Sequence, residues 1–477
     1  MPNDRRAAVR RIVDEFEGVD LGDTRLDERL VKIVEKLAMH PGESLPTALG
    51  SDAEIEAAYR FANNARVEVD AVLEPHVAKT AARACAAKKV FVIHDTTSCA
   101  CPHAEPEDVG YLNTGKAGFY AHYALVVDEP RTPLGVVHLE TLARDTPPRK
   151  RKDKKRKRNV SGAETRKDED REFKRWIRGI EAAEEVLKGC ELVHLADRET
   201  DSFELHAANV AAGRRFVFRM RIEARKAQTL DGEQGSVREL AMRSEGILQR
   251  KIQLSARKTN PDLRGSKAHP TRETRLAKLS FSAAEVEIRP PTYLRSTHPE
   301  PLRLNVVRVW EAAAPKGTAP VEWLLYTTEP VETPAEVSAV VDAYRARWLI
   351  EECNKALKSG CLIEEREFES LHAAQTMLAV SLPIAVEVLA LRAASRADSA
   401  APATNVMSPV RLEVLRKMGS RKLSQSPTVR EALFAVAAMG GHMKFNGDPG
   451  WLVLQRGMER LMDYEAGWRA ARDLPEM

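Results

Sequence analysis

A chain of 477 residues, 43% hydrophobic and 30% charged, has room for roughly two to four domains and a sizeable core, which excludes a disordered or fibrous protein. Its 74 basic and 70 acidic residues nearly cancel, so the formal net charge of +4 permits an anionic partner without demanding one. No apolar run approaches membrane-spanning length, "MPNDRRAAVRRIVDEF" lacks an apolar signal region, and six scattered cysteines form no disulfide framework, so the chain reads as cytoplasmic with no membrane partner.

Residues 1–70 read as a helical domain, with "LDERLVKIVEKLAMH" amphipathic and Ser51 placed to cap a second helix in "SDAEIEAAYRFANN". Arg25, Arg29, Lys32, Arg60, Asn63 and Asn64 decorate it, although charged helix faces are ordinarily only solvated. In "KKVFVIHDTTS", Val90 to His94 is an apolar run without alternation, as in a strand covered on both faces, and it is expected to end at Asp95. "SCACPH" sets Cys99, Cys101 and His103 close together, but a second ligand pair at zinc spacing is lacking. Residues 118–128 and 133–144 follow as strands joined by "EPRTP", completing an antiparallel meander.

Residues 149–158, "RKRKDKKRKR", hold nine basic residues in ten, a solvated loop or a sequence-independent contact with phosphate backbone. A helix is expected from about Glu169 to Leu187, then a buried strand "ELVHLA" ending at Asp197, the helix "SFELHAANVAA" and the strand "RFVFRMRI". Three strands followed by alternating helix and strand is the ribonuclease H order. In that fold the first and fourth strands lie side by side, so Asp95 and Asp197 are expected to meet at their carboxyl ends.

Residues 223–330 read as a β-rich insertion, from alternating runs such as "AEVEIR" and "LRLNVVRVW" broken by Pro, Gly and Thr. "AYRARWLIEECNKALKSG" then reads as one amphipathic helix. Tyr344, Arg347, Glu351 and Lys358 fall within an arc of about 60°, opposite Ala346, Leu349, Ile350, Cys353 and Leu357. Beyond residue 362 the chain is helical again, with a Pro/Ser/Ala linker near 396–408. The expected organisation is an α/β ribonuclease H-like core over 71–395, with N-terminal (1–70) and C-terminal (409–477) helical domains flanking it.

Two strand-end aspartates and a helix glutamate suit one chemistry. Attack on a DNA phosphodiester needs charge neutralised on the entering and leaving oxygens, and two Mg²⁺ ions about 3.5–4 Å apart supply it. Mg²⁺ takes hard oxygen ligands and keeps several waters, so three carboxylates suffice for the pair. Each carboxylate alone has a plainer explanation, since Asp after a strand is ordinarily a turn or cap residue.

"HDTTS", "ADRETD" and Tyr344-x2-Arg347-x3-Glu351-x6-Lys358 resemble the Y-R-E-K group of bacterial insertion-sequence transposases, DDE enzymes that include the Tn-five cut-and-paste type. Further matching segments, among them "LGDTRLDERL", "AYRF", "RFVFRMR", "WLLYTTEPV" and "GGHMKF", spread over nearly the whole chain. The resemblance implies that Asp95, Asp197 and Glu351 bind two Mg²⁺ ions, with Mn²⁺ able to substitute. It implies that Tyr344, Arg347, Lys355 and Lys358 hold phosphate, that Trp323 stacks on a flipped base, and that Arg219 lies on the DNA backbone. Arg25, Arg29 and Arg60 would belong to a DNA-end-binding domain. The implied partners are double-stranded transposon ends and target DNA, with a homodimer in the paired-end complex and the C-terminal helices as its contact, in bacterial cytoplasm at the nucleoid. A ribonuclease H-like nuclease without strand transfer and a non-catalytic, transposase-derived repressor are the competing readings.

Overall fold

The computed structural model describes residues 12–39, 43–129, 131–148, 172–254, 271–397, 400–405, 407–443 and 449–473. It falls into two compact units, residues 1–191 with 348–477, and residues 192–347.

The first unit opens with helices α1 (Thr24–Met39), α2 (Leu45–Leu49), α3 (Asp52–Ala62) and α4 (Val69–Ala87). Leu30, Ile33, Val34 and Leu37 recur along α1 at the spacing that makes one apolar stripe, and all four are buried. Ser51 caps α3 by accepting from the backbone N–H of Glu54.

Strands β1 (Lys89–Ala100), β2 (Gly118–Asp128) and β3 (Pro133–Leu142) form an antiparallel meander in the order β3-β2-β1. Here the sequence reading needs correction. The first strand does not stop at Asp95; it runs on to Ala100, and Asp95 sits in mid-strand opposite Tyr123. The long partner β2 pairs along its whole length, from Asp128 opposite Val90 to Gly118 opposite Ala100. The β-branched Thr96 and Thr97 fit that pleat, so ladder pairing wins over turn chemistry. A short 3₁₀ turn, Glu172–Lys174, leads into helix α5 (Arg175–Val186). The basic run 149–158 and the expected start of that helix at Glu169 lie outside the described residues.

The second unit carries β4 (Glu191–Ala196), α6 (Phe203–Ala211) and β5 (Phe216–Arg219), with β4 and β5 parallel. It continues with β6 (Lys226–Thr229), β7 (Gln234–Ser236), α7 (Val237–Arg243), β8 (Leu248–Leu254), β9 (Arg275–Ile288), β10 (Leu302–Glu311) and β11 (Glu322–Thr327). The sheet order is β4-β5-β11-β10-β9-β6-β7, with β8 also pairing β9, and every pair after the first is antiparallel. Helix α7 lies within the region that the sequence presents as a β-rich insertion. It is started by a reciprocal cap in which Ser236 and Glu239 each bond the other's backbone N–H.

Asp201 is a hub of this unit. Its carboxylate has no exposed side-chain surface. It accepts from the backbone N–H groups of Arg221 and Ile222 at 2.6 Å each and from the Arg225 guanidinium at 2.7 Å, with His206 Nε2 at 3.3 Å. Helix α8 (Pro334–Ala346) closes the unit, its start fixed by Pro334 in the first turn and a reciprocal cap between Thr333 and Glu336.

The chain then returns to the first unit with α9 (Trp348–Lys355), a π-turn (Ala356–Gly360), α10 (Leu371–Ala397), α11 (Pro409–Met418), α12 (Val429–Met439) and α13 (Trp451–Asp473). Leu412, Leu415, Val436 and Leu461 gather in a core shared by the last three helices. Gly440 and Gly457 let backbones meet there: a Cβ on Gly440 would lie 1.8 Å from the Val453 carbonyl oxygen, and one on Gly457 1.8 Å from that of Val436.

Candidate active site

Two of the three candidate carboxylates stand in the first unit. Asp95 projects from β1 and is half-buried. Its Oδ2 accepts from Asn354 Nδ2 at 3.1 Å, and Asn354 lies on α9, one turn beyond Glu351. Residues three apart share one flank of a helix, so the bond that ties α9 to Asp95 also brings the Glu351 flank towards it. On its other side the Asn354 amide accepts from the Tyr123 hydroxyl at 2.7 Å. Tyr123 is fully buried, and burial pushes its phenol well above the usual range. Neither Asn354 nor Tyr123 stands out in the sequence.

The helix expected over 343–360 is not continuous, and the correction matters for the site. Helix α8 ends at Ala346, and the Arg347 N–H bonds the Tyr344 carbonyl at 3.1 Å, one residue tighter than an α-helical turn. After α9 the last turn widens, and the Cys361 N–H bonds the Ala356 carbonyl at 2.8 Å. With no Pro or Gly at Arg347, periodicity has no means of signalling the break. Most of the apolar side holds, with Ala346, Ile350, Cys353 and Leu357 buried and Leu349 half-buried, but Tyr344 on the supposed polar face is only 5% exposed. Trp348 on that face is 53% exposed, with Lys355 Nζ 5.2 Å from its ring. Lys355 also pairs with Glu352 at 3.3 Å. Lys358 is engaged by the Ser98 carbonyl and by Glu364, the latter at 3.1 Å.

The third carboxylate, Asp197, belongs to the second unit and follows β4 directly. It caps the 3₁₀ turn Arg198–Thr200, accepting from the Glu199 N–H at 2.8 Å. A cationic cluster accompanies it in that unit. Burial lowers the Arg219 pKa, Tyr344 opposes that, and the neighbouring Arg198 and Arg347 add to the lowering. Burial likewise raises the Tyr344 phenol, against the influence of Arg347 and Arg219. The Arg347 guanidinium lies 5.9 Å from the Tyr344 ring centre. Trp323 is half-buried on β11, opposite Val309, and meets Tyr344 edge to face at 6.0 Å. Arg198, which the sequence reading passed over, sits next to Asp197 in "ADRETD".

On the N-terminal helices, Arg25 pairs with Asp23 at 2.9 Å, Arg29 with Glu54 at 2.6 Å and Arg60 with Glu56 at 3.6 Å. Cys99 and Cys101 are buried, and burial pushes their thiols up to about 12 and about 11. Among the described residues no three His, Cys, Asp or Glu side chains stand close enough to hold a metal ion together. The donor chemistry nevertheless fits a hard divalent cation. Asp95 and Glu351 offer carboxylate oxygens, and the amide bond on Asp95 is the outer support a ligating carboxylate commonly carries.

Two family models match the chain. One, described as Transposase DNA-binding, covers residues 11–67, and the other, described as Transposase DDE domain, covers residues 141–383. The chain belongs to the DDE transposase family: an α/β protein with a ribonuclease H-like core, an enzyme that cleaves DNA and transfers strands, and one whose partner is DNA. Asp197 and Glu351 lie inside the second match, and Asp95 lies upstream of it. A cryo-EM structure titled piggyBac transposase synaptic complex with hairpin DNA is similar over 99% of this chain and 83% of its own. Its TM-score is 0.37 at 9% identity, too loose an overlap to carry residues across. No helix among the described residues is long and apolar enough to cross a membrane.

Proposed function

We propose that this chain is a cut-and-paste transposase of the bacterial Y-R-E-K type, with Asp95, Asp197 and Glu351 as the carboxylates that hold two Mg²⁺ ions. The observation that carries the reading is the Asn354–Asp95 hydrogen bond, which joins the strand aspartate to the helix that bears Glu351. When bound, such ions neutralise charge on the attacking and leaving oxygens of a phosphodiester.

The protein's own groups do the rest. Arg219 and Arg347 beside Tyr344, with the exposed Arg198 near Arg219, concentrate positive charge at a partly desolvated place, where an anionic phosphate relieves the mutual repulsion. A phosphate fixed there orients the strand for in-line attack. Trp323, half-buried beside Tyr344, offers a ring face to a base extruded when the strand bends. Water nicks one strand, the freed 3′-OH attacks the opposite strand to give a hairpin, the hairpin is opened, and the 3′-OH attacks target DNA. Every step is an attack of water or 3′-OH on phosphorus with a 3′-oxygen leaving, so one site serves them all. Lys355 and Lys358 would exchange their present partners for phosphate. Arg25, Arg29 and Arg60 would do the same in the N-terminal region that matches the DNA-binding family. Two ends would be paired by a homodimer through residues 409–477, in the bacterial cytoplasm at the nucleoid.

The test is incubation of the full chain with end-labelled transposon-end DNA and Mg²⁺, resolved on a denaturing gel. Hairpins support the reading. Free nicks alone indicate a nuclease, and a mobility shift without cleavage indicates a repressor.

A further inference from the structure

We infer that Asn354 is a positioning residue that fixes the rotation of the Asp95 carboxylate, and that Tyr123 in turn fixes the Asn354 amide. The inference rests on the assignment of Asp95 as a metal ligand made above.

The geometry sets a direction of donation. Tyr123 and Asp95 face each other across β1 and β2, and directly opposed residues project to the same side of a sheet. Asn354 comes down from α9 between them. The Tyr123 hydroxyl donates to Asn354 Oδ1 at 2.7 Å, and Asn354 Nδ2 donates to Asp95 Oδ2 at 3.1 Å. Turning the amide over would set its oxygen against the carboxylate and its NH₂ against the phenol. The carboxylate accepts only and would meet a second acceptor, so it selects the amide orientation, and the buried phenol, donating to Oδ1, holds the amide there and with it the carboxylate rotation. Tyr123 is fully buried and Asn354 is 8% exposed, so water has little access to compete for these bonds.

The helix register adds a second consequence. Asn354 lies one turn past Glu351 on α9, so its bond to β1 also sets how α9 approaches the strand and hence where Glu351 is presented. Asn354 thereby bears on two carboxylates at once. Removing such supporting partners of ligands typically costs about 10–100-fold in metal affinity.

The experiment is Mn²⁺ titration of the full chain followed by electron paramagnetic resonance of the free ion, for wild type, Asn354→Ala, Tyr123→Phe and Asp95→Ala. Binding of transposon-end DNA without metal is measured alongside. The expected result is a loss of Mn²⁺ affinity of about tenfold or more in Asn354→Ala and about threefold or more in Tyr123→Phe, with end-DNA affinity within twofold of wild type in both. Asp95→Ala separates the two claims. If it loses affinity while Asn354→Ala and Tyr123→Phe stay within twofold, the positioning inference falls and the ligand assignment stands. If Asp95→Ala itself binds Mn²⁺ normally, the ligand assignment falls and takes the inference with it. Should Asn354→Ala fail to fold, Tyr123→Phe decides the matter, because it removes one hydroxyl and leaves the ring in place.

Discussion

Two aspartates four residues apart, Asp197 and Asp201, give a sharp test of how structure divides labour within "ADRETD". Asp201 has no exposed side-chain surface and satisfies two backbone N–H groups and the Arg225 guanidinium, itself only 9% exposed. Asp201→Ala leaves that guanidinium buried without its carboxylate and two amides short of an acceptor. Breaking a buried pair in this way costs about 3–5 kcal/mol. In a unit of this size about 2–4 °C of melting temperature goes with each kcal/mol, so the unit should melt about 6–20 °C lower. Asp197 is half-exposed and caps a single 3₁₀ turn, so Asp197→Ala should cost about 0.5–2 kcal/mol, the value of a cap. Acidification adds a second signature. Burial works to raise the Asp201 pKa, but His206, Arg225 and the Ile222 N–H outweigh it and hold the carboxyl well below its usual range. A depressed carboxylate contributes stability that is complete above its unfolded pKa of about 3.9 and is lost as pH falls below it. Differential scanning calorimetry of both variants at neutral pH is the assay. Equal destabilisation by the two, or an Asp201→Ala transition within about 2 °C of wild type, would refute the division.

The remaining predictions concern other parts of the chain. Burial alone works to raise Glu15, but hydrogen bonds from His76 and Arg83 bring it down to about 2, so its contribution should be lost as pH falls from about 4.5 towards 2. Glu15→Gln should flatten that part of the stability curve by up to about 3 kcal/mol, read by denaturant titration at each pH. Trp323→Ala and Arg347→Ala should leave first-strand nicking near normal and slow hairpin formation about ten- to a hundredfold, as a loss of about 1–3 kcal/mol of stacking or phosphate binding implies. Rapid-quench kinetics separates the two steps, and equal slowing of both would count against a role confined to the hairpin. Neutralising residues 149–158 should weaken binding to all DNA sequences alike and flatten the slope of log K against log salt; an unchanged slope leaves them a solvated loop.

What the sequence disclosed follows from which forces are local. The order of strands and helices was readable because buried strands such as "KVFVI" and "ELVHLA" carry unbroken apolar runs, and α1 carries a clean helical stripe. Ser51 was readable as a cap for the same reason: its partner is three residues away. The continuation of β1 through Thr96 and Thr97 was not, because pairing with β2 decides it and "HDTTS" has the composition of a turn. Nor was the break at Arg347, which has no Pro or Gly to announce it. Glu351 could be singled out by its spacing from Tyr344 and Arg347. The bridge through Asn354 could not, since its partners lie 259 and 231 residues away in the chain.

The central claim is that Asp95, Asp197 and Glu351 act together on DNA, and single alanine substitutions test it most directly. Each variant is assayed for cleavage and joining of labelled transposon ends in Mg²⁺, with end binding measured in parallel by mobility shift. Each substitution removes a carboxylate that would hold metal, and none removes a phosphate contact, so all three variants should bind ends nearly as wild type and neither nick nor join them. Cleavage at near wild-type rate by any one of the three would contradict the account and remove that residue from the site.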